Sequence, residues 1–286
     1  MAYKYFRHSI ATIGLIIVSI VCFAQLVKEK QQYVMDHYWD NYDFRAGVNN
    51  PLETERALLT YLEKSRINSL EKTKKNLIIL SRKMAQNCLT FNYFHELFRK
   101  FLYDPNSPMR SEHLYRPLLT EFLSSPCAEK KRLAKAIEDL KWINKNNPGM
   151  PAPDFLYTMS NGKNSTLYSP KSPLLLLILY NPECESCIEN QKSLINAKII
   201  RDLLQSRKLK ILSVYIDFKI EIWKKQKHNL PKTWLSAYDP KHYLRTKKLY
   251  DLRSVPTMYL LNRKKNIILK DANFDQVIYY LTTSSY

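Results

Sequence analysis

The run Leu174–Tyr180 does most to narrow what this chain can fold into: seven consecutive apolar residues between Pro173 and Pro182. Apolar at odd and even positions alike, it suits a strand buried on both faces, as in a parallel sheet covered by helices. The segments around it extend the pattern. Asp154–Tyr157 reads as a first strand and Leu209–Ile216 as a second interior one. Between these two, Leu194, Ile195, Ile199, Leu203 and Leu204 continue a helix from Cys187. Glu221–Lys227 reads as a short helix and Tyr243–Leu252 as another. Met258–Leu261 and Ile267–Leu269 flank the polar stretch Asn262–Lys265 like a hairpin, and Phe274–Leu281 closes with a helix. The order predicts an α/β sandwich from residue 151 onward.

Before residue 151 the spacing changes to that of helices. Asn50-Pro51 reads as a helix start, Asn capping and Pro at the first helical position. Leu58, Leu59 and Leu62, then Leu77, Leu80 and Met84, recur at helical intervals. Phe91, Phe94, Leu97, Phe98 and Phe101 form an aromatic stripe, expected to be core rather than a ligand groove. Asp104–Pro108 is a loop, Ser125-Pro126 starts a last helix, and Asn146–Gly149 ends it.

At the N-terminus, Lys4 and Arg7 precede an apolar run from Ile10 to Ala24. It falls short of the ~20 residues a spanning helix needs, and its basic flank and small terminal residue predict a secretory signal cut at Ala24-Gln25. A retained anchor, or a lipoprotein through Cys22, is the alternative, although Val21 stands where a lipobox has a small residue. The expected domains are therefore a signal at 1–24, a helical domain at 25–150 and an α/β domain at 151–286.

The formal net charge of +19 would suit an anionic partner. The basic residues are spread along the chain, however, without an RNA-binding signature or finger spacing, so no nucleic-acid partner is expected.

Export leaves Cys88, Cys127, Cys184 and Cys187 in a compartment that permits disulfides. Cys88 and Cys127, 39 positions apart, are either a second disulfide or buried free thiols. Cys184-Glu185-Ser186-Cys187 sits where the buried strand hands over to a helix. Free N–H groups and the positive end of the helix dipole favour an anion there, so Cys184 is expected to ionise readily and act as the nucleophile, with Cys187 one turn on as the resolving thiol. Glu183 and Glu185 oppose the thiolate. Other readings of the pair are a structural disulfide or half a zinc site, but the six His supply no further ligands at zinc spacing. No metal and no cofactor is implied.

Val255-Pro256-Thr257, about seventy residues after the cysteines, precedes a strand. With the Cys-x-x-Cys turn it resembles the thioredoxin superfamily, nearest to TlpA-like exported thiol-disulfide oxidoreductases. The resemblance implies a thioredoxin-like three-layer α/β/α sandwich after an all-α N-terminal domain. It implies a cis Val255-Pro256 bond facing the cysteines, with Pro256 shaping the substrate groove, the Val255 backbone offering hydrogen bonds to a bound peptide, and Thr257 as a further substrate-binding residue. Tyr38–Phe44, Tyr103–Pro108 and Asn147–Gly149 are similar to segments of exported Gram-negative proteins that join an uncharacterised helical domain to a thioredoxin-like one. The family usually has an aromatic residue before the first cysteine and Gly-Pro between the two; here stand Glu183 and Glu185-Ser186.

The implied function is periplasmic thiol–disulfide exchange with protein or peptide thiols and disulfides, served by a redox partner, with membrane association only through an uncleaved N-terminus. The alternative is a non-catalytic binding or scaffold protein holding a structural disulfide.

Overall fold

The computed structural model describes residues 22–23, 25–27, 29–30, 32–66 and 68–284. Of the expected signal only Cys22 and Phe23 are among the described residues, and of its Ala24-Gln25 cleavage site only Gln25. Chain contacts divide the protein into two compact units, the first ending at Leu140 and the second starting at Lys141.

The first unit is helical: α1 (Phe44–Asn49), α2 (Pro51–Ser65), α3 (Leu70–Met84), α4 (Cys88–Leu102), α5 (Glu112–Ser124) and α6 (Lys130–Ile143). Side chains cap several starts. Ser69 accepts from the Lys72 amide, Asn87 from Thr90 and Ser111 from Leu114, each satisfying an N–H that the helix leaves free. Asn50 differs from expectation. Pro51 does open α2, but the Asn50 side chain makes no capping bond and donates instead to Glu53. Ser125-Pro126 does not start a helix either: α6 begins at Lys130, after a turn that carries Cys127. Cys127 is bonded to Cys88 at the first residue of α4.

The aromatic stripe is core. Phe91, Phe94, Leu97 and Phe98 are buried, and Phe94 meets Trp39, Phe44 and Phe98. His95 shares this interior at 5% exposure, its ring stacked 3.5 Å from that of Phe122. Burial, followed by the charges of Arg132 and Arg99, pushes its pKa from 6.5 down to about 3. The unfolded chain binds a proton at His95 near pH 6.5 and the folded chain refuses it, so stability present above pH 6.5 is lost as the pH falls toward 3. The slope is ~1.4 kcal/mol per pH unit. Urea unfolding followed from pH 7 to 5 is expected to show this slope, and His95→Phe to remove that component; an unchanged slope in the variant would place the acid sensitivity elsewhere.

The second unit is built on a seven-stranded sheet, ordered β2-β1-β5-β4-β3-β6-β7. The strands are β1 (Leu156–Met159), β2 (Asn164–Thr166), β3 (Leu174–Tyr180), β4 (Leu209–Tyr215), β5 (Leu235–Tyr238), β6 (Thr257–Asn262) and β7 (Ile267–Leu269). The helices are α7 (Glu185–Asn196), α8 (Lys198–Gln205), α9 (Ile220–Gln226), α10 (Tyr243–Thr246) and α11 (Phe274–Thr283). β3, β4 and β5 run parallel, whereas β6, β7, β1 and β2 join antiparallel, so the sheet is mixed.

Every residue of β3 is buried. Leu174, Leu176, Ile178 and Tyr180 face one core with Cys187, Leu194, Trp223 and Val277. Leu175, Leu177 and Leu179 face the other with Phe155, Tyr157, Leu244 and Tyr250. Each leucine so buried contributes ~1.5–3 kcal/mol, which fixes the strand and the turn at its end.

Several elements depart from the sequence expectation. The helix after Cys187 breaks at Ala197, whose extended backbone (ψ 118°) separates α7 from α8. The first strand starts two residues later than Asp154, because the Asp154 side chain is engaged by the Phe155 and Leu167 amides. The helix expected over Tyr243–Leu252 is only α10, bounded by left-handed His242 (φ 52°) and Lys248 (φ 49°). Residues 141–150 pack with the second unit. The Asn146 side chain donates to the Leu249 carbonyl and the Gly149 amide to that of Ile267.

Candidate active site

The end of β3 delivers the chain into a tight turn that its own polar groups define. The Asn181 side-chain oxygen accepts from the Glu183 amide at 2.8 Å, and its carbonyl accepts from Cys184 at 3.1 Å. The Asn181 amide group donates to Asp217 at 2.6 Å, and Arg245 holds the same carboxylate at 2.6 Å. The turn is thereby tied to the chain leaving β4.

Cys184 then occupies the N-cap of α7 with extended backbone (φ −85°, ψ 119°), and its sulfur accepts the Cys187 N–H at 3.3 Å. The sulfur takes the place that a Ser or Asp oxygen fills in ordinary caps, at the positive end of a 12-residue helix. Ser186 Oγ lies 3.1 Å from it and the Val255 carbonyl 3.4 Å.

The two thiols differ in environment. Cys184 is half-buried and Cys187 is 1% exposed. Burial works against ionising Cys184, but hydrogen bonds from the Cys187 thiol, the Ser186 hydroxyl and the Cys187 and Ser186 amides outweigh it, and its pKa falls below the ordinary thiol value. Burial pushes Cys187 far up, and its bond to Cys184 and the charges of Cys184 and Asp217 reinforce this. Glu183 and Glu185 are exposed.

Of the residues singled out in the sequence, Cys184, Cys187 and Val255 come together, although Val255 lies 71 positions from Cys184. The Val255-Pro256 bond is cis, with both residues half-buried. Thr257 is different: it is buried, and its hydroxyl donates to the Asp251 and Ser254 carbonyls, so its side chain is turned into the fold. Sequence reasoning passed over Ser186, whose hydroxyl also reaches the Val255 carbonyl at 3.2 Å. It also passed over the Asn181–Asp217–Arg245 brace. The presence of a hydroxyl residue between the cysteines was the available signal for the first; nothing local signalled the second.

A family described as a domain of unknown function, DUF5106, matches residues 14–146. Among solved structures, a thioredoxin-like protein from Bacteroides caccae is 34% identical over 90% of this chain and 94% of its own, with a TM-score of 0.82. The C-terminal domain of an uncharacterized protein from Bacteroides fragilis is 38% identical over 48% of this chain and 98% of its own, with a TM-score of 0.47. No curated protein matches. The fold, the likeness over nearly the full length of the Bacteroides caccae protein and the matched helical domain agree: the chain belongs to the thioredoxin-like proteins in which a helical N-terminal domain precedes the α/β domain.

Proposed function

We propose that the protein is an exported thiol–disulfide oxidoreductase that exchanges electrons with protein or peptide disulfides through Cys184 and Cys187. The observation that carries this reading is the pairing of a half-buried, readily ionised sulfur at a helix N-cap with a buried thiol one turn behind it. The Cys184 thiolate attacks a substrate disulfide, forming a mixed disulfide and releasing one substrate thiolate, which takes up a proton. Cys187 gives up its proton and attacks the Cys184 sulfur, closing the Cys184–Cys187 bond and releasing the second substrate thiol. Two electrons pass to the substrate, and a dithiol partner restores the reduced pair; run backwards, the same steps oxidise a dithiol. Export rests on Lys4 and Arg7 ahead of the apolar run Ile10–Ala24. Among the described residues no helix is long and apolar enough to cross a membrane.

The test is brief alkylation of the reduced protein at pH 7 with insulin reduction as readout. A thiol with a depressed pKa carries more thiolate at neutral pH than an ordinary cysteine, and a thiol with a raised one carries less. Peptide mapping is expected to find Cys184 modified first and Cys187 spared, with insulin reduction lost in proportion. Reduction that survives complete modification of Cys184 would sink the reading.

A further inference from the structure

The turn that carries Cys184 is acidic, on a basic protein. Lys and Arg number 45 against 26 Asp and Glu, yet Glu183 and Glu185 adjoin the nucleophile on both sides, and both are exposed. The turn does not hold either carboxylate. Its side-chain bonds come from Asn181, the Cys184 sulfur and the Ser186 hydroxyl, and among the described residues neither glutamate forms an ion pair. The helix dipole accounts for a carboxylate in the first turn of α7, at Glu185. Glu183 stands ahead of the helix, and both carboxylates work against the thiolate they flank. Range decides which charges a substrate meets there. The two carboxylates adjoin Cys184 in the chain and lie roughly one Debye length, ~8 Å at physiological ionic strength, from its sulfur. The basic residues are spread along the whole chain, and those beyond that range are screened. Nearer groups largely cancel: Asp217 pairs with Arg245 and Asp251 with Arg253, each at 2.6 Å. Lys219, exposed on the loop that follows Asp217, supplies one opposing charge. A disulfide arriving at Cys184 therefore meets a net negative field.

We propose that Glu183 and Glu185 are specificity-determining residues that select cationic disulfides: peptides or proteins with Lys or Arg beside the cystine react in preference to those with Asp or Glu there. The inference rests on the oxidoreductase reading and adds to it a substrate class. The chemistry of exchange is unchanged. The Cys184 thiolate bonds to one substrate sulfur, the substrate S–S bond breaks, and the departing thiolate takes a proton from solvent. The carboxylates act on the substrate's other charges at that moment, attracting an ammonium or guanidinium and repelling a carboxylate. The cost to the thiolate falls on every substrate alike, whereas the attraction reaches cationic ones alone, so the pair trades overall reactivity for discrimination.

The experiment measures single-turnover attack by the reduced protein at pH 7 and physiological ionic strength. The probes are two synthetic peptides cyclised through a disulfide, alike except for Lys or Glu beside each cysteine. Attack on the Lys peptide is expected to be the faster. Glu183→Gln with Glu185→Gln should cut the Lys-to-Glu rate ratio by roughly fivefold. Removing the carboxylates also favours the thiolate, but both peptides meet the same sulfur, so that gain cancels in the ratio. Glu183→Asp with Glu185→Asp should keep the preference, and added salt should shrink it in the unsubstituted protein. A ratio unchanged by the Gln pair, or lost as fully with the Asp pair, would overturn this inference and leave the oxidoreductase reading standing. Failure of the unsubstituted protein to attack either peptide would overturn both.

Discussion

Cys187→Ser is expected to turn the protein from a catalyst into a trap. Cys184 keeps its place at the α7 N-cap, the backbone N–H at 187 is unaltered, and the first attack proceeds. The mixed disulfide then has no thiol one turn behind it. Well-oriented intramolecular groups reach effective molarities of ~10⁵ M or more, whereas an external thiol arrives at millimolar concentration. Multiple-turnover reduction should therefore fall on the order of a thousandfold or more, while a covalent Cys184–substrate adduct accumulates, visible by mass under non-reducing conditions. Cys184→Ser is the complement: turnover is lost as severely, but no adduct forms, because the buried Cys187 has its pKa pushed far up and cannot take over as nucleophile. If Cys187→Ser turned over normally without an adduct, the two-thiol mechanism would be wrong.

The second large effect concerns the helical unit. Cys88 and Cys127 are joined across 39 positions, linking the start of α4 to the turn before α6. The loop-entropy relation gives ~4 kcal/mol for a closure of this length. Cys88→Ala with Cys127→Ala is expected to lower the stability of this unit by about that amount, read as a lower urea midpoint in chemical denaturation. The packing around the turn also leans on the bond. The Asn92 side chain donates to the Cys88 and Cys127 carbonyls and accepts the Glu129 amide, so it holds the same two chain segments. A double variant as stable as the parent would mean that Asn92 and its neighbours suffice.

What the sequence disclosed follows from where its signals are local. β3 was legible because burial on both faces demands an uninterrupted apolar run, and the Cys-x-x-Cys turn because strand, turn and helix are contiguous. The approach of Val255 to Cys184 came only through the family resemblance, since no local rule brings together residues 71 positions apart. β2 and β5 escaped because both are short and neither has an apolar run, β2 being wholly polar: Asn164–Thr166 and Leu235–Tyr238 gain strand form from their neighbours in the sheet. The division of α7 from α8 escaped because Leu194, Ile195, Ile199 and Leu203 keep helical spacing across a break made by one extended residue, Ala197. The suppressed basicity of His95 comes from Phe122, Arg99 and Arg132, which only folding gathers round it.

The Cys88–Cys127 bond is not sealed away; Cys88 is exposed and Cys127 half-buried. It travels on the same chain as a sulfur proposed to open such bonds, so neighbouring copies present it to one another as a rival target. Thermodynamic reciprocity supplies the defence: whatever the bond contributes to folding, the fold returns to the bond. A contribution of ~4 kcal/mol makes the cystine harder to reduce by roughly 90 mV than it would be in an unfolded chain. Self-inflicted reduction is thus restrained by the architecture of the helical unit.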